Sequence, residues 1–380
     1  MNEPTGARAG SLSQSQVRTQ GRAQGRGQGR GQGLDTSQAK GAEPPLPPAD
    51  PADLTPDVLA GTARRIADRA VAMGLTHWFW GEGVVLQGLM RLTPRHPYVT
   101  EFVDAHLRDG IELGHVNNLA PGAVCADLYG ETGERRYADA CERMLRWLRE
   151  DEAVTRAPGG AIEHWPGGVW ADTVYMGGTF LIHYGLRAGR PELIEEAGEQ
   201  ILAHADVLQH PETGLYAHGS HEGRTIWNFW GRANAWTALA SVEYLEAGGA
   251  RSAQVRDVLR RQLRALAEHQ PPHGVWDVLV DGQPENRGIL ETSAAAGIAA
   301  AMLRAARLGI DQERLRPAGW RALAGIHPYV ADDGTLTRTS AGTVLQLIPF
   351  GYSVIRTDLI QPWGQGLALQ AYAAALQETT

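Results

Sequence analysis

Asp172 stands between Trp170 and Thr173, at the head of the apolar run Val174–Tyr184. A carboxyl group among tryptophans and aliphatic side chains is pushed towards its neutral form, which suits a general acid. A helix N-terminus opposes that shift, and Asp is also a good N-cap. The residue therefore reads either as an acid or as a cap. Arg232 lies in Phe229-Trp-Gly-Arg-Ala-Asn-Ala-Trp236, at the start of a nearly apolar stretch. A guanidinium there needs an anion, either a ligand carboxylate held by its fork or an internal Asp or Glu. Trp230 and Trp236 flank it, and an indole face suits a sugar ring as well as a core. His218 follows Gly214-Leu-Tyr-Ala and precedes Gly-Ser-His221, in a loop that can reach the same place. It reads as a ligand-binding or acid–base histidine, or as a structural one. With no third ligand at a fixed spacing, His218-x-x-His221 does not define a metal site. Glu82, Glu163 and Glu291 are possible second carboxylates, with Glu291-Thr-Ser reading better as a helix cap. Asn117 and Asn118 can hydrogen-bond hydroxyls but cannot act as a base.

These residues need a scaffold that gathers them. From Leu54 onward apolar residues recur at helical spacing, with Gly or Pro between the runs. Helices are expected near 54–74, 81–93, 98–109, 117–130, 134–150, 171–188, 191–208, 229–247, 252–269, 289–309, 312–326 and 363–377. Short strand-like alternation occurs near 276–280 and 335–348. The helices alternate in character. The odd ones, such as 134–150, are amphipathic and rich in Arg and Glu. The even ones, such as 171–188, are apolar nearly all round and rich in Gly and Ala, so they are buried on every side. Six outer and six inner helices in alternation are what an all-α (α/α)6 barrel needs. The unusual residues cluster at the inner starts: Trp78-Phe-Trp80-Gly-Glu-Gly, His115-Val-Asn-Asn-Leu-Ala-Pro-Gly122, Trp170-Ala-Asp-Thr, Phe229–Trp236, Glu291-Thr-Ser and Trp363-Gly-Gln-Gly. In a toroid these starts meet at one end, in an aromatic-lined funnel.

Composition narrows the class. The chain has 380 residues with 43% hydrophobic and 21% charged, enough for a large core. Residues 1–50 are Gly/Arg/Gln-rich and then Pro-rich, with no apolar period, and read as a disordered tail before a catalytic domain over 51–380. The first 34 residues hold five Arg and one Glu, so the body is more acidic than the net charge of −8 implies. That argues against nucleic acid as the main partner. The two cysteines, Cys125 and Cys141, fall in helical patterns and read as buried free thiols. There is no apolar run of about 18 residues and no secretory signal, so no membrane partner and a cytoplasmic place are expected. Nucleophile-elbow, phosphate-loop and His-Glu-x-x-His motifs are absent.

The stretches Trp170-Ala-Asp-Thr-Val-Tyr-Met176, Gly214-Leu-Tyr-Ala-His-Gly219, Phe229–Trp236 and Glu291-Thr-Ser293, in that order, resemble the unsaturated rhamnogalacturonyl hydrolases of glycoside hydrolase family 105. These are related to the unsaturated glucuronyl hydrolases of family 88. The resemblance spans most of 75–377. It implies an (α/α)6 barrel, and the residues themselves call for no cofactor or metal. The implied substrate is an oligosaccharide ending in a Δ4,5-unsaturated uronic acid, as polysaccharide lyases leave, with a rhamnogalacturonan or pectin aglycone foremost. It also implies hydration of the vinyl ether, with Asp172 giving a proton to C4 and assisting water at C5. His218, Trp230 and Arg232 match positions that bind the uronate, and Trp236 matches an aromatic there; Trp170 and Trp80 complete the expected substrate-binding set. The family's second aspartate falls on Asn117 here, so the like-charge influence on Asp172 is lost.

Other readings stay open on the residues alone. A conventional inverting glycosidase needs two carboxylates roughly 6.5–9.5 Å apart, for which Asp172 with Glu82 or Glu291 is the pair to test. A sugar epimerase or isomerase needs two histidines facing one carbon, for example His115 and His218. A non-catalytic sugar binder needs the tryptophans and Arg232 but not Asp172. The expected assembly is a monomer or homodimer.

Overall fold

The computed structural model describes residues 43–379, and the tail expected over 1–50 lies outside the described residues as far as residue 42. Its last part is docked rather than free. Leu46 N–H donates to Tyr329 Oη at 2.8 Å, Ala49 N–H donates to the Ala324 carbonyl at 3.0 Å, and Glu43 pairs with Arg338. Prolines remove donors and fix φ, so this stretch lies extended against the body without a strand's ladder.

Twelve long helices follow: α1 (Pro56–Ala72), α2 (Trp80–Leu92), α3 (Pro97–Asp109), α4 (Gly122–Thr132), α5 (Arg135–Glu150), α6 (Ala171–Ala188), α7 (Pro191–Leu208), α8 (Gly231–Glu246), α9 (Ser252–Glu268), α10 (Thr292–Arg307), α11 (Gln312–Ile326) and α13 (Pro362–Leu376). A single turn, α12 (Phe350–Ser353), precedes the last. Proline opens α1, α3, α7 and α13, where its missing N–H costs nothing. Gly133 and Gly189 close α4 and α6 in the left-handed conformation, with φ of 70° and 65°.

The inner helices close a ring. α2 packs on α4, α4 on α6, α6 on α8, α8 on α10, α10 on α13, and α13 back on α2. The outer helices clasp it: α5 on α4, α7 on α6, α9 on α8, α11 on α10, and α1 on α13. This is the (α/α)6 barrel. Sequence dictates which helix goes where. α5 buries Tyr137, Ala140, Cys141, Met144, Leu145 and Leu148, one stripe at i, i+3, i+4 spacing. α10 buries every residue from Thr292 to Ala306. Small residues bring inner backbones together: a Cβ on Gly366 of α13 would lie 2.5 Å from the Val84 carbonyl oxygen of α2.

Some boundaries differ from expectation. α4 starts at Gly122, not 117, because Pro121 precedes it and Val116–Leu119 form a separate 3-10 turn capped by His115. No strand forms at 276–280 or 335–348. These stretches make only isolated bridges, Asp277 to Leu290, Trp230 to Leu279 and Val330 to Leu336. The two strands among the described residues are β1 (Gly219–His221) and β2 (Arg224–Ile226), antiparallel, turning at Glu222 and Gly223, both with positive φ.

The C-terminal halves of the inner helices hold a buried ionic network at the end away from the helix starts. Glu243 of α8 pairs with Arg91, with Arg304 at 3.4 Å and with His183 Nε2 at 2.9 Å, and Asp127 holds His183 Nδ1 at 2.9 Å. Among the described residues no helix is long and apolar enough to cross a membrane.

Candidate active site

Asp172 lies in the first turn of α6, but it does not cap the helix. Trp170 occupies the N-cap position with no side-chain cap. Among the described residues the Asp172 Oδ2 is buried without a hydrogen-bond partner. His218 Nε2 approaches it at 3.5 Å, too long for a formed hydrogen bond and equally unpartnered. Buried polar atoms are normally satisfied, so this facing pair is the candidate centre of the site. The carboxyl side chain keeps 16% of its surface exposed, whereas the imidazole keeps none. Burial pushes Asp172 up, but His218, His164 and Arg232 together outweigh it and hold the carboxyl below its ordinary value. Of the two opposed influences expected from the sequence, the one favouring the charged form prevails, because imidazole and guanidinium groups join the apolar surroundings.

The backbone explains how His218 reaches α6. Its carbonyl accepts from Ala171 N–H at 3.0 Å, and its N–H donates to the Asn228 carbonyl at 3.0 Å. The β1–β2 hairpin therefore ties the start of α6 to the approach to α8. His218 Nδ1 lies 2.6 Å from Tyr352 Oη. A chain of rings extends the site: Trp170 is 5.2 Å from His218 and stacks on His164 at 4.7 Å, and His164 meets His115 edge-on at 4.7 Å. Burial pushes His164 down to about 3 and His115 down to about 4, so both are neutral at physiological pH. His164 Nδ1 is 2.9 Å from Thr173 Oγ1. Within this chain of rings, His164 and Trp170 link His115 to His218.

Arg232 is fully buried and already has its anion. Nη1 is 3.3 Å from Glu291 Oε1 and donates to Ser340 Oγ at 2.7 Å; Nη2 donates to the Ala341 carbonyl at 3.0 Å. Glu291 caps α10 and also accepts from Ser340 N–H at 2.9 Å. The fork expected to hold a ligand carboxylate is thus spent internally, because Glu291 starts the neighbouring inner helix at the same level. Among the described residues, Nε lacks a partner. Arg232 still lies 4.3 Å over the Trp230 ring and acts on Asp172 through charge.

Trp230 and Trp236, expected to stack on a sugar, are 1% and 0% exposed. Trp230 is wedged between His218, Arg232 and Tyr352, and Trp236 between Trp80 and Tyr175. Both faces are committed to the core. The accessible aromatics are Trp80, stacked on Trp363 at 4.2 Å, and Trp165, 50% exposed and 4.3 Å from His115. Sequence reading missed Trp165 and His164, from a loop, and Tyr352, from the single turn α12, none of which carries a periodic signal. Trp170 is also buried.

Neither Glu82, Glu163 nor Glu291 contacts Asp172. Glu82 pairs with His77 at 3.5 Å, and Glu163 accepts from Thr155 and Gly167 in its own loop. Asn118 is structural, bonded to the backbone of Gly114, His115 and Trp78. Asn117 makes no side-chain hydrogen bond among the described residues, in the turn that packs on α6. His221 is exposed while His218 is buried. No group of three or more His, Cys, Asp or Glu among the described residues could hold a metal ion.

A six-hairpin toroid with a carboxylate at the start of an inner helix, ringed by tryptophan and histidine, defines a class of glycoside hydrolases. The sequence profile of Glycosyl Hydrolase Family 88 matches residues 62–379, and the chain belongs to that family. It is 31% identical over 331 residues to the unsaturated rhamnogalacturonyl hydrolase YesR of Bacillus subtilis, covering 82% of this chain and 93% of that one. It is similar in structure to a possible member of the GH105 family from Salmonella enterica, with TM-score 0.79, 26% identity and 86% and 96% of the two chains covered. The fold is also that of an unsaturated glucuronyl hydrolase from Bacillus sp. GL1, with TM-score 0.65, 18% identity and 84% and 96% covered. The protein is a glycoside hydrolase.

Proposed function

We propose that this hydrolase removes a Δ4,5-unsaturated uronic acid from the non-reducing end of lyase-generated oligosaccharides, of the rhamnogalacturonan type, by hydrating the vinyl ether. The observation that carries this reading is the Asp172 carboxylate in the first turn of an inner helix, facing His218 Nε2 at 3.5 Å. A conventional inverting glycosidase needs a second carboxylate roughly 6.5–9.5 Å away across the sugar, and Glu291, which shares Arg232 with Asp172, is fully buried and spent on Ser293, Ser340 and the cap of α10. Vinyl-ether hydration needs only one. Asp172 passes its proton to C4, a water adds through its oxygen to C5, and that water's second proton returns to Asp172. The resulting hemiketal opens and expels the aglycone as an alcohol. His218 faces the carboxylate left after the first transfer, and Trp165 and Trp80 offer faces to the sugar.

Asp172→Asn keeps the shape of the side chain and removes the transferable proton. Turnover of an unsaturated disaccharide, followed as loss of the ultraviolet absorbance of the conjugated uronate, is expected to fall by at least about a thousandfold with an unchanged melting temperature. Near-wild-type turnover would remove Asp172 from the reaction.

A further inference from the structure

Tyr352 belongs to the irregular stretch 341–361, which the helical pattern leaves unexplained. Its neighbours Val344, Leu347, Ile348, Phe350 and Val354 are exposed, yet Tyr352 itself is fully buried. The stretch is pinned from two other loops: Asn228 Nδ2 donates to the Gln346 carbonyl at 2.8 Å, and Asn286 Nδ2 donates to the Pro349 carbonyl at 3.0 Å. These anchors drive the phenol inward until Oη lies 2.6 Å from His218 Nδ1.

One hydrogen decides what that contact means. The Gln346 N–H donates to Tyr352 Oη at 3.4 Å, so the oxygen already acts as acceptor there. Among the described residues His218 Nδ1 is the other partner of Oη. A buried hydroxyl hydrogen must have an acceptor, and Nδ1 is the acceptor in reach. A ring that accepts at Nδ1 carries its hydrogen at Nε2, and Nε2 is the atom that faces Asp172 Oδ2 at 3.5 Å. The other groups around the imidazole are Trp170, Trp230 and His164, with Arg232 beyond Trp230. Among the described residues, none of them forms a hydrogen bond with Nδ1.

We propose that Tyr352 is a positioning residue: by donating to Nδ1 it holds His218 as the Nε2–H tautomer, so that a donor and not a lone pair faces Asp172. The catalytic side of this inference rests on Asp172 being the proton donor. Once Asp172 has released its proton to the substrate, the Nε2–H stabilises the carboxylate. In the opposite tautomer two lone pairs would face each other and the proton transfer would be opposed.

The test uses the whole chain labelled with nitrogen-15 at histidine. The chain has 13 His, so the His218 signals are assigned by their disappearance in His218→Gln. Wild-type His218 is expected to show a hydrogen on Nε2 and none on Nδ1. Tyr352→Phe keeps the ring and removes only the hydroxyl; it is expected to shift His218 towards a mixture of tautomers. Its kcat is expected to fall about tenfold, the effect of one lost hydrogen bond, with KM nearly unchanged and normal thermal unfolding. A wild-type His218 with its hydrogen on Nδ1, a spectrum unmoved by Tyr352→Phe, or an unmoved kcat overturns the proposal. If Asp172→Asn retains turnover while the tautomer shifts as expected, the hydrogen-bond assignment stands and the catalytic reading of Asp172 is what fails.

Discussion

The proposed acid role of Asp172 poses a question of timing. In the free enzyme its neighbours favour the charged form, yet a general acid must carry a proton. The substrate supplies the remedy, because the uronate brings a second negative charge and like charges raise a carboxyl pKa. The ratio kcat/KM reports the free enzyme and kcat the complex. The decline of kcat with rising pH is therefore expected at higher pH than the decline of kcat/KM, and two pH profiles on one substrate measure the offset. Coincident declines would mean that the uronate charge does not reach Asp172. Asp172 and His218 were legible in the sequence because polar residues at the heads of apolar helices need a reason to be there. The open faces were not legible. Trp230 and Trp165 are the same residue type, and only packing decides that the first is 1% exposed and the second 50%.

The alternation of amphipathic and all-round apolar segments predicted the helices and their inner or outer places, since burial on every side and burial on one stripe leave different patterns. The β1–β2 hairpin escaped because each strand spans three residues, too few for a period. Tyr352 escaped because it reaches His218 across 134 residues of chain, through contacts between loops. Arg232 was legible as a buried charge, but its partner was not. In the structure it joins α8 to α10 and to the 340–341 backbone. Arg232→Ala would leave Glu291, which is 0% exposed, as an uncompensated buried carboxylate. A loss on the order of 3–5 kcal/mol in denaturant unfolding is expected. A variant of wild-type stability with only a raised KM would show instead that the guanidinium serves the substrate.

The whole toroid places the candidate site at one end of the ring and a charged lock at the other. Burial alone would lower the pKa of His183, but Asp127 and Glu243 raise it to about 9. An unfolded histidine titrates near 6.5. With the folded value the higher one, this contribution is complete below about pH 6.5 and is lost as pH rises towards 9. The melting-temperature gap between wild type and His183→Gln should therefore shrink over that interval, from a difference on the order of 3 kcal/mol. A gap that stays constant or widens would show that the ring does not depend on a charged His183. At the other end, the most direct test of the chemistry is turnover of an unsaturated rhamnogalacturonan disaccharide in heavy water, followed by NMR at C4 and C5. Vinyl-ether hydration through Asp172 predicts that the alkene signal disappears in step with aglycone release, with one deuteron delivered to a single face of C4. Release of the aglycone with the double bond still in the sugar would contradict it and point to direct cleavage at the anomeric carbon.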